Sequence, residues 1–287
     1  MHSGKDPSGT VGLERLEQLA AEWGVRLTDR FETASSLIAY GRRGDQPVVM
    51  KIMLRQGDEW HAGEVVEAFD GAGVVRAYAH TPGATLLERI MPGDNLVALV
   101  TTGRDDEATD LLAEVIVRMR PKQAPRWVPS VADWGRGFER YAASGDTQIP
   151  ATLVSQAREI FMALCASQKN QRLLHGDLHH YNVLRDNRRG WLAIDPKGVI
   201  GEIEYEIGAA LRNPHESTEH LADRSVVERR VHRFSERLGL NPRRILEWAF
   251  SQAVLSAIWC IEDGDAVDAT NPSLVLAGTI GVLLTGA

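Results

Sequence analysis

An α+β fold in two lobes, a β-rich N-terminal one and a helical C-terminal one, is predicted by three features of this 287-residue chain. Between about residues 31 and 90, short apolar runs alternate with Gly-, Pro- and Asp-containing turns, as strands and tight connections do. Beyond residue 94, apolar residues recur at helical spacing over segments of eight to 22 residues. The length is enough to bury one large domain or two lobes. The switch from one pattern to the other places the boundary at residue 91, giving lobes 1–91 and 92–287.

Leu13, Leu16, Leu19, Ala20 and Trp23 share one helical face, so an amphipathic helix opens the ordered chain. Strands are expected at 31–33 and 37–40, flanking the small-residue turn Thr33-Ala-Ser-Ser36, and at 47–53, where Lys51 interrupts an apolar run. Residues 58–69 read as a helix closed by Gly71 and Gly73, followed by strands at 74–79 and 84–90 around a Thr-Pro-Gly turn. The helical lobe is read as segments 94–101, 105–120, 130–143, 151–169, 225–238, 242–263 and 273–284. Its one β interruption is a hairpin of 183–184 with 191–194 about the polar turn 186–190.

Composition narrows the function. Lys and Arg total 32 against 39 Asp and Glu, a net charge of −7 that argues against general nucleic-acid binding and suits a cationic partner. Cys165 and Cys260 sit in apolar, helix-like contexts and read as buried thiols of a reducing compartment. Residues 1–12 are polar, without the apolar stretch of a secretory signal, and 272–287 are too short and Gly-interrupted to span a bilayer. A soluble cytoplasmic protein that engages neither nucleic acid nor membrane is expected; no oligomeric state is assigned.

The chemistry is carried by His175-Gly-Asp-Leu-His-His-Tyr-Asn182 and, downstream, Ile194-Asp195. Phosphoryl transfer from a nucleotide needs a group that orients the incoming hydroxyl and oxygen ligands that hold Mg²⁺ on the phosphates. An Asp-x-x-x-x-Asn loop supplies the first from Asp177 and one metal ligand from Asn182, and Asp195 after an apolar strand supplies the other. Taken singly, Asp177 could cap a helix and Asn182 fill a turn; the joint spacing outweighs that reading. His179 and His180 have no Cys or third His close enough in sequence to make a zinc pattern. His175 reads as a scaffold whose ring hydrogen-bonds the loop backbone.

A Lys in an apolar strand needs a counter-charge. Lys51 is therefore expected to neutralise nucleotide phosphates, paired with Glu64 on the following helix or, one turn on, with Glu67. Ser35 and Ser36 would cradle phosphate oxygens from a turn that an ordinary hairpin also explains. The segment 86–93 is the expected hinge, with Glu88 C=O and Ile90 N–H offered to an adenine ring.

These residues resemble the aminoglycoside phosphotransferase family, in particular its streptomycin 6-kinase and hydroxyurea phosphotransferase branch. The resemblance runs through Thr33-Ala-Ser-Ser-Leu37, Leu87-Glu88, Leu174-His-Gly-Asp-Leu-His-His180, Asn182, Trp191-Leu-Ala-Ile-Asp-Pro-Lys-Gly-Val-Ile-Gly-Glu202, Asn241-Pro-Arg-Arg-Ile245 and Leu255-Ser-Ala-Ile-Trp259. It implies a bilobal protein-kinase-like fold, ATP and Mg²⁺ as cofactors, Asp177 as catalytic base, Asn182 and Asp195 as metal ligands, and an aminoglycoside hydroxyl as acceptor. For a cationic acceptor, Glu202, Glu204 and Glu206 would present one acidic face if their segment were extended. Glu262, Asp263 and Asp265 would add charge, and Trp259 and Trp134 stacking surfaces. A kinase of an amino alcohol or sugar derivative, and a ligand-binding pseudokinase, are the competing readings. The complete set Lys51, Asp177, Asn182 and Asp195 speaks against the second.

Overall fold

Helix α1 (Pro7–Glu22) packs on an antiparallel sheet of β1 (Val25–Glu32), β2 (Ser36–Arg43), β3 (Gln46–Met53), β4 (Ala77–Thr81) and β5 (Ala84–Glu88). The strand order in this computed structural model is β1-β2-β3-β5-β4. The structure describes residues 7–215 and 218–286; residues 1–6 of the polar N-terminal stretch, expected to lack a signal, lie outside them. Period-two alternation decides which way β3 faces. Val48, Met50 and Ile52 are fully buried with Leu16, Leu19, Leu37 and Leu86, so Lys51 is left on the opposite face.

Between β3 and β4 a 3₁₀ turn at Asp58–His61 leads into α2 (Ala62–Phe69). Val65, Val66 and Phe69 of α2, with Val74 and Val75, belong to the large core of the helical part and not to the core beneath α1. Packing therefore joins α2 to residues beyond 91 even though the chain leaves the sheet there.

The helical part contains β6 (Pro92–Asn95), α3 (Val97–Thr101), α4 (Asp105–Arg118), α5 (Val131–Trp134), α6 (Arg136–Ser144) and α7 (Ala151–Ala166). It continues with β7 (Arg172–Leu174), β8 (Val183–Asp186), β9 (Gly190–Ala193), β10 (Val199–Gly201) and α8 (Ile203–Leu211). It ends with α9 (Thr218–Ala222), α10 (Arg224–Leu238), α11 (Pro242–Glu262) and α12 (Pro272–Thr285). Strands β6-β8-β9 and β10-β7 form two small antiparallel sheets that flank the 175–182 loop. Helix α11 is apolar and long enough to cross a membrane, yet it is the central core helix, with Trp248, Val254, Leu255 and Ile258 fully buried.

Several segments differ from the periodicity reading, the 3₁₀ start of 58–69 and the strand at the start of 94–101 among them. The helix expected at 130–143 is two, α5 and α6, and α5 starts at a reciprocal Ser130–Asp133 capping box. The strand expected to run to residue 90 stops at Glu88. Residues 203–211, outside the expected helices and considered as extended for 202–206, are helix α8, and seven of its nine residues are buried. A helix enclosed on nearly every side carries no polar stripe, so periodicity does not reveal it.

Candidate active site

The 175–182 loop is held from both sides by its own backbone. His175 is fully buried, and burial pushes its imidazole down to about 4, so the ring is neutral. Its Nε2–H donates to Ile194 C=O at 2.8 Å, and its Nδ1 accepts from Asp177 N–H at 3.2 Å. One side chain thereby ties the Asp177 loop to the segment after β9 that carries Asp195. Gly176 has φ +82°, and a Cβ there would lie 2.8 Å from the Trp134 ring, so only glycine fits. Asn182 donates Nδ2–H to Asp177 C=O at 3.0 Å, which leaves its Oδ1 as the atom available to a cation. Its own C=O accepts from Ile194 N–H at 2.8 Å.

Asp195 has φ +61°, one of three non-glycine residues with positive φ among the described residues. A left-handed Asp costs about 1 kcal/mol and is a mark of positions held for function. Its carboxylate pairs with Lys51. The other partner of Lys51 is Glu59 Oε2 at 2.7 Å, which corrects the expectation of Glu64. The 3₁₀ turn ahead of α2 brings Glu59 to β3, whereas Glu64 faces the other way. It accepts from Trp127 Nε1–H at 2.6 Å and lies 3.0 Å from His61 Nδ1. Glu67, the alternative, lies 3.1 Å from His80 Nε2 instead. Burial alone would lower the Lys51 pKa, but Asp195 and Glu59 outweigh it and hold the ammonium above its ordinary value.

Asp177 lines a cleft of about 820 Å³ between the turn at residues 57–61 and the helical part. Burial would raise its carboxyl, but His179 at 3.6 Å, Lys197 at 3.7 Å and Arg212 at 3.6 Å hold it well below the usual carboxylate range. The cleft is walled by Trp134 and Trp259, whose rings meet edge to face at 5.6 Å, and by Trp127. Five carboxylates line it against three Lys or Arg side chains. Of the acceptor residues expected from sequence, Trp134, Trp259, Glu262 and Asp263 line this cleft, and Asp265 does not. Asp58 and Asp133 line it too, without having been expected. They lie in a turn and at a helix N-terminus, where an acidic residue has an ordinary capping role that gives no signal of its own.

The acidic face expected of Glu202, Glu204 and Glu206 is not formed. In helix geometry, residues four apart share a face and the middle one points away. Glu202, just before α8, is buried and is bound by Arg244 and Trp248 Nε1–H. Glu206 is also buried, and it accepts from His175 N–H at 2.7 Å and Gly176 N–H at 3.0 Å. It is a positioning residue for the Asp177 loop. Glu204 is partly buried, and burial raises its carboxyl.

Burial pushes Glu206 up to about 7, against the downward pull of the two loop N–H groups. Its folded value exceeds its unfolded one, so its contribution to stability, about 3 kcal/mol, is complete below the unfolded value and is lost as pH rises through about 7. Activity should run the opposite way, because only the carboxylate accepts from both N–H groups. Glu206→Gln turns an amide NH₂ towards one of them. It should cut turnover by tenfold or more, as expected for about 1–3 kcal/mol of lost loop geometry, and remove the wild-type dependence of stability on pH near 7. Melting temperatures and turnover of both proteins from pH 5.5 to 8.5 check this; superimposable profiles would deny Glu206 its positioning role.

In the β1–β2 turn, Ser36 is buried and its hydroxyl meets Thr33 Oγ1 at 2.9 Å, while Ser35 is exposed at the tip. Glu88 ends β5, its side chain bound to Arg76 N–H and to Arg189 from the β8–β9 turn, and Ile90 is buried just after it. Among the described residues no three His, Cys, Asp or Glu side chains converge as a metal site. Asn182 Oδ1 and the Asp195 carboxylate are hard oxygen donors of the kind Mg²⁺ takes together with phosphate and water.

Residues 25–264 match the family model described as aminoglycoside/hydroxyurea antibiotic resistance kinase. The chain belongs to this family. It is an ATP-dependent phosphotransferase. Among the relatives of this family member is the streptomycin 3''-kinase of Klebsiella pneumoniae, 35% identical over 81% of this chain and 86% of that one. Another is the streptomycin 6-kinase of Streptomyces glaucescens, 30% identical over 93% and 89% of the two chains. Its fold is that of solved kinases. The aminoglycoside phosphotransferase APH(4)-Ia superposes with TM-score 0.63 at 15% identity, covering 97% of this chain and 99% of that one. A choline kinase from Streptococcus pneumoniae gives 0.64 at 13%, covering 96% and 99%.

Proposed function

We propose that this kinase transfers the terminal phosphoryl group of Mg·ATP to a hydroxyl of a streptomycin-type aminoglycoside, at the 6-position, in the cytoplasm. The observation that carries the acceptor class is the cleft. It is large, walled by indole rings, richer in carboxylates than in cations, and it opens on Asp177. Indole faces and carboxylates together attract guanidinium and ammonium groups. Its volume of about 820 Å³ suits a substituted oligosaccharide better than hydroxyurea or an amino alcohol. The family match and the streptomycin kinases among the relatives support the same acceptor class, and the two 6-kinases support the 6-hydroxyl, against a 3''-kinase of higher identity.

In this mechanism Asp177 orients the acceptor hydroxyl and takes its proton late, as the bond to phosphorus forms. A strongly acidic carboxylate is a weak base, which suits a loose transition state in which the hydroxyl acidifies only as it is phosphorylated. Lys51, fixed by Glu59 and Asp195, meets the nucleotide phosphates. Asn182 and Asp195 hold Mg²⁺, which supplies neutralisation of the phosphate charge. Glu88 C=O and Ile90 N–H receive the adenine, and the Ser35–Ser36 turn covers the phosphates.

A panel of streptomycin, other aminoglycosides, hydroxyurea, choline and ethanolamine, assayed by ADP release, tests the acceptor. Streptomycin should give the highest kcat/KM, and its KM should rise with salt while that of a neutral acceptor does not, since screening weakens the attraction of the cleft. Turnover of only the small neutral or mono-cationic compounds would replace this reading with a metabolite kinase.

A further inference from the structure

A lysine lining a cleft built for a cation calls for an explanation. Of the three cations in the cleft, Arg140 is consumed by a two-pronged pair with Glu262, at 2.7 and 2.9 Å. Arg212 is nearly buried and donates to Gln252 Oε1 at 2.6 Å. Lys197 is different. Its nearest carboxylate oxygen is Asp177 Oδ2 at 3.7 Å, beyond hydrogen-bond reach, and its side chain is 45% exposed. No hydrogen bond from its ammonium is formed among the described residues, yet its backbone is fixed. Lys197 N–H and Gly198 N–H both donate to His175 C=O at 3.0 Å, and Gly198, with φ +82°, is pressed against Val65 of α2. A Cβ at Gly198 would lie 2.8 Å from a Val65 methyl carbon. The fold thus places an ammonium that makes no hydrogen bond beside Asp177, where it repels a cationic acceptor and attracts an anion.

We propose that Lys197, backed by Arg212, is a further catalytic residue that binds the oxygens of the phosphoryl group as it arrives at the acceptor side. In the transfer the acceptor oxygen forms its bond to phosphorus, the bond from phosphorus to the β-bridging oxygen breaks, ADP departs with that electron pair, and the hydroxyl proton passes to Asp177. The electron pair of the broken bond stays with ADP on the Lys51 side, while the non-bridging oxygens of the phosphoryl group carry their charge towards Lys197. A fixed cation at the receiving end stabilises this displacement most when the bond is half formed. The inference rests on the phosphotransfer reading and not on the identity of the acceptor.

The experiment titrates inorganic phosphate into Mg·ADP-saturated protein by calorimetry, alongside kcat and ADP affinity, for wild type, Lys197→Met and Lys197→Arg. Lys197→Met should weaken phosphate binding at least tenfold, the equivalent of one charge-assisted bond. It should lower kcat about a hundredfold, as loss of one oxyanion donor does, with ADP affinity unchanged. Lys197→Arg should restore most of both. The same loss of phosphate affinity should appear when Asp177 is already Asn, which separates a direct contact from an effect exerted through Asp177. Phosphate affinity unaltered by Lys197→Met in either background, or wild-type protein that holds no phosphate, would overturn the assignment. Because no acceptor is present in the titration, a wrong acceptor class leaves this result standing, and a wrong Lys197 leaves the acceptor panel standing.

Discussion

Asp177→Asn should lower kcat about a thousandfold, the scale of lost general-base catalysis, with Mg·ATP affinity unchanged. The substitution is nearly isosteric and keeps an oxygen to hold the hydroxyl, but it removes the proton acceptor. It also leaves Lys197 and Arg212 without their shared carboxylate. The fold should tolerate this, because Lys197 is half exposed and Arg212 keeps Gln252. Single-turnover rates and nucleotide titrations of the variant give the two quantities separately. A loss of nucleotide affinity as large as the loss in kcat would mean that Asp177 also holds the metal.

Asp195→Asn should fail differently. Asn is among the residues that accept the left-handed backbone found at Asp195, so the strand and loop should keep their shape. What disappears is one of the two counter-charges of Lys51 and the negative charge of the oxygen donor paired with Asn182. Nucleotide affinity and kcat should fall together, with kcat/KM for Mg·ATP reduced at least a hundredfold, as for loss of a charged group acting on the transferring phosphate. Raising Mg²⁺ should recover part of the loss in Asp195→Asn and none of it in Asp177→Asn. The same recovery in both, or in neither, would remove the division of labour between the two carboxylates.

Much of this site is legible in the amino-acid sequence because its residues sit at short fixed separations within one loop and one strand. Asp177, Asn182 and Asp195 are linked by local backbone bonds, and His175 needs only the strand beside it. Lys51 is legible for a related reason, since a charge in an alternating apolar strand stands out. Its partner is not. Choosing Glu64 assumes that a regular helix begins at residue 58, whereas the 3₁₀ turn changes the rotation per residue and gives the position to Glu59.

The acceptor side is harder to read, because it is assembled from distant segments. Trp127 comes from a Pro-rich connection without periodicity, Trp134 from a four-residue helix, and Asp58 from a turn. Glu202 and Glu206 mislead for a specific reason. Three acids at alternate positions satisfy both a strand and a helix, and α8 is too thoroughly buried to show which. Their carboxylates serve the interior, one joined to Arg244 and Trp248, the other to the catalytic loop. Acidic character in the sequence is therefore a poor guide to which acids face the cleft.

Whether the cleft delivers a streptomycin hydroxyl to Asp177 is decided by the product formed from streptomycin and Mg·ATP, read by phosphorus–proton correlation in nuclear magnetic resonance. One phosphate monoester is expected, its phosphorus coupled to the ring proton at the 6-position, formed in step with ADP and about a thousandfold more slowly with Asp177→Asn. ADP appearing with free phosphate alone, and no ester on the aminoglycoside, would contradict the proposed transfer.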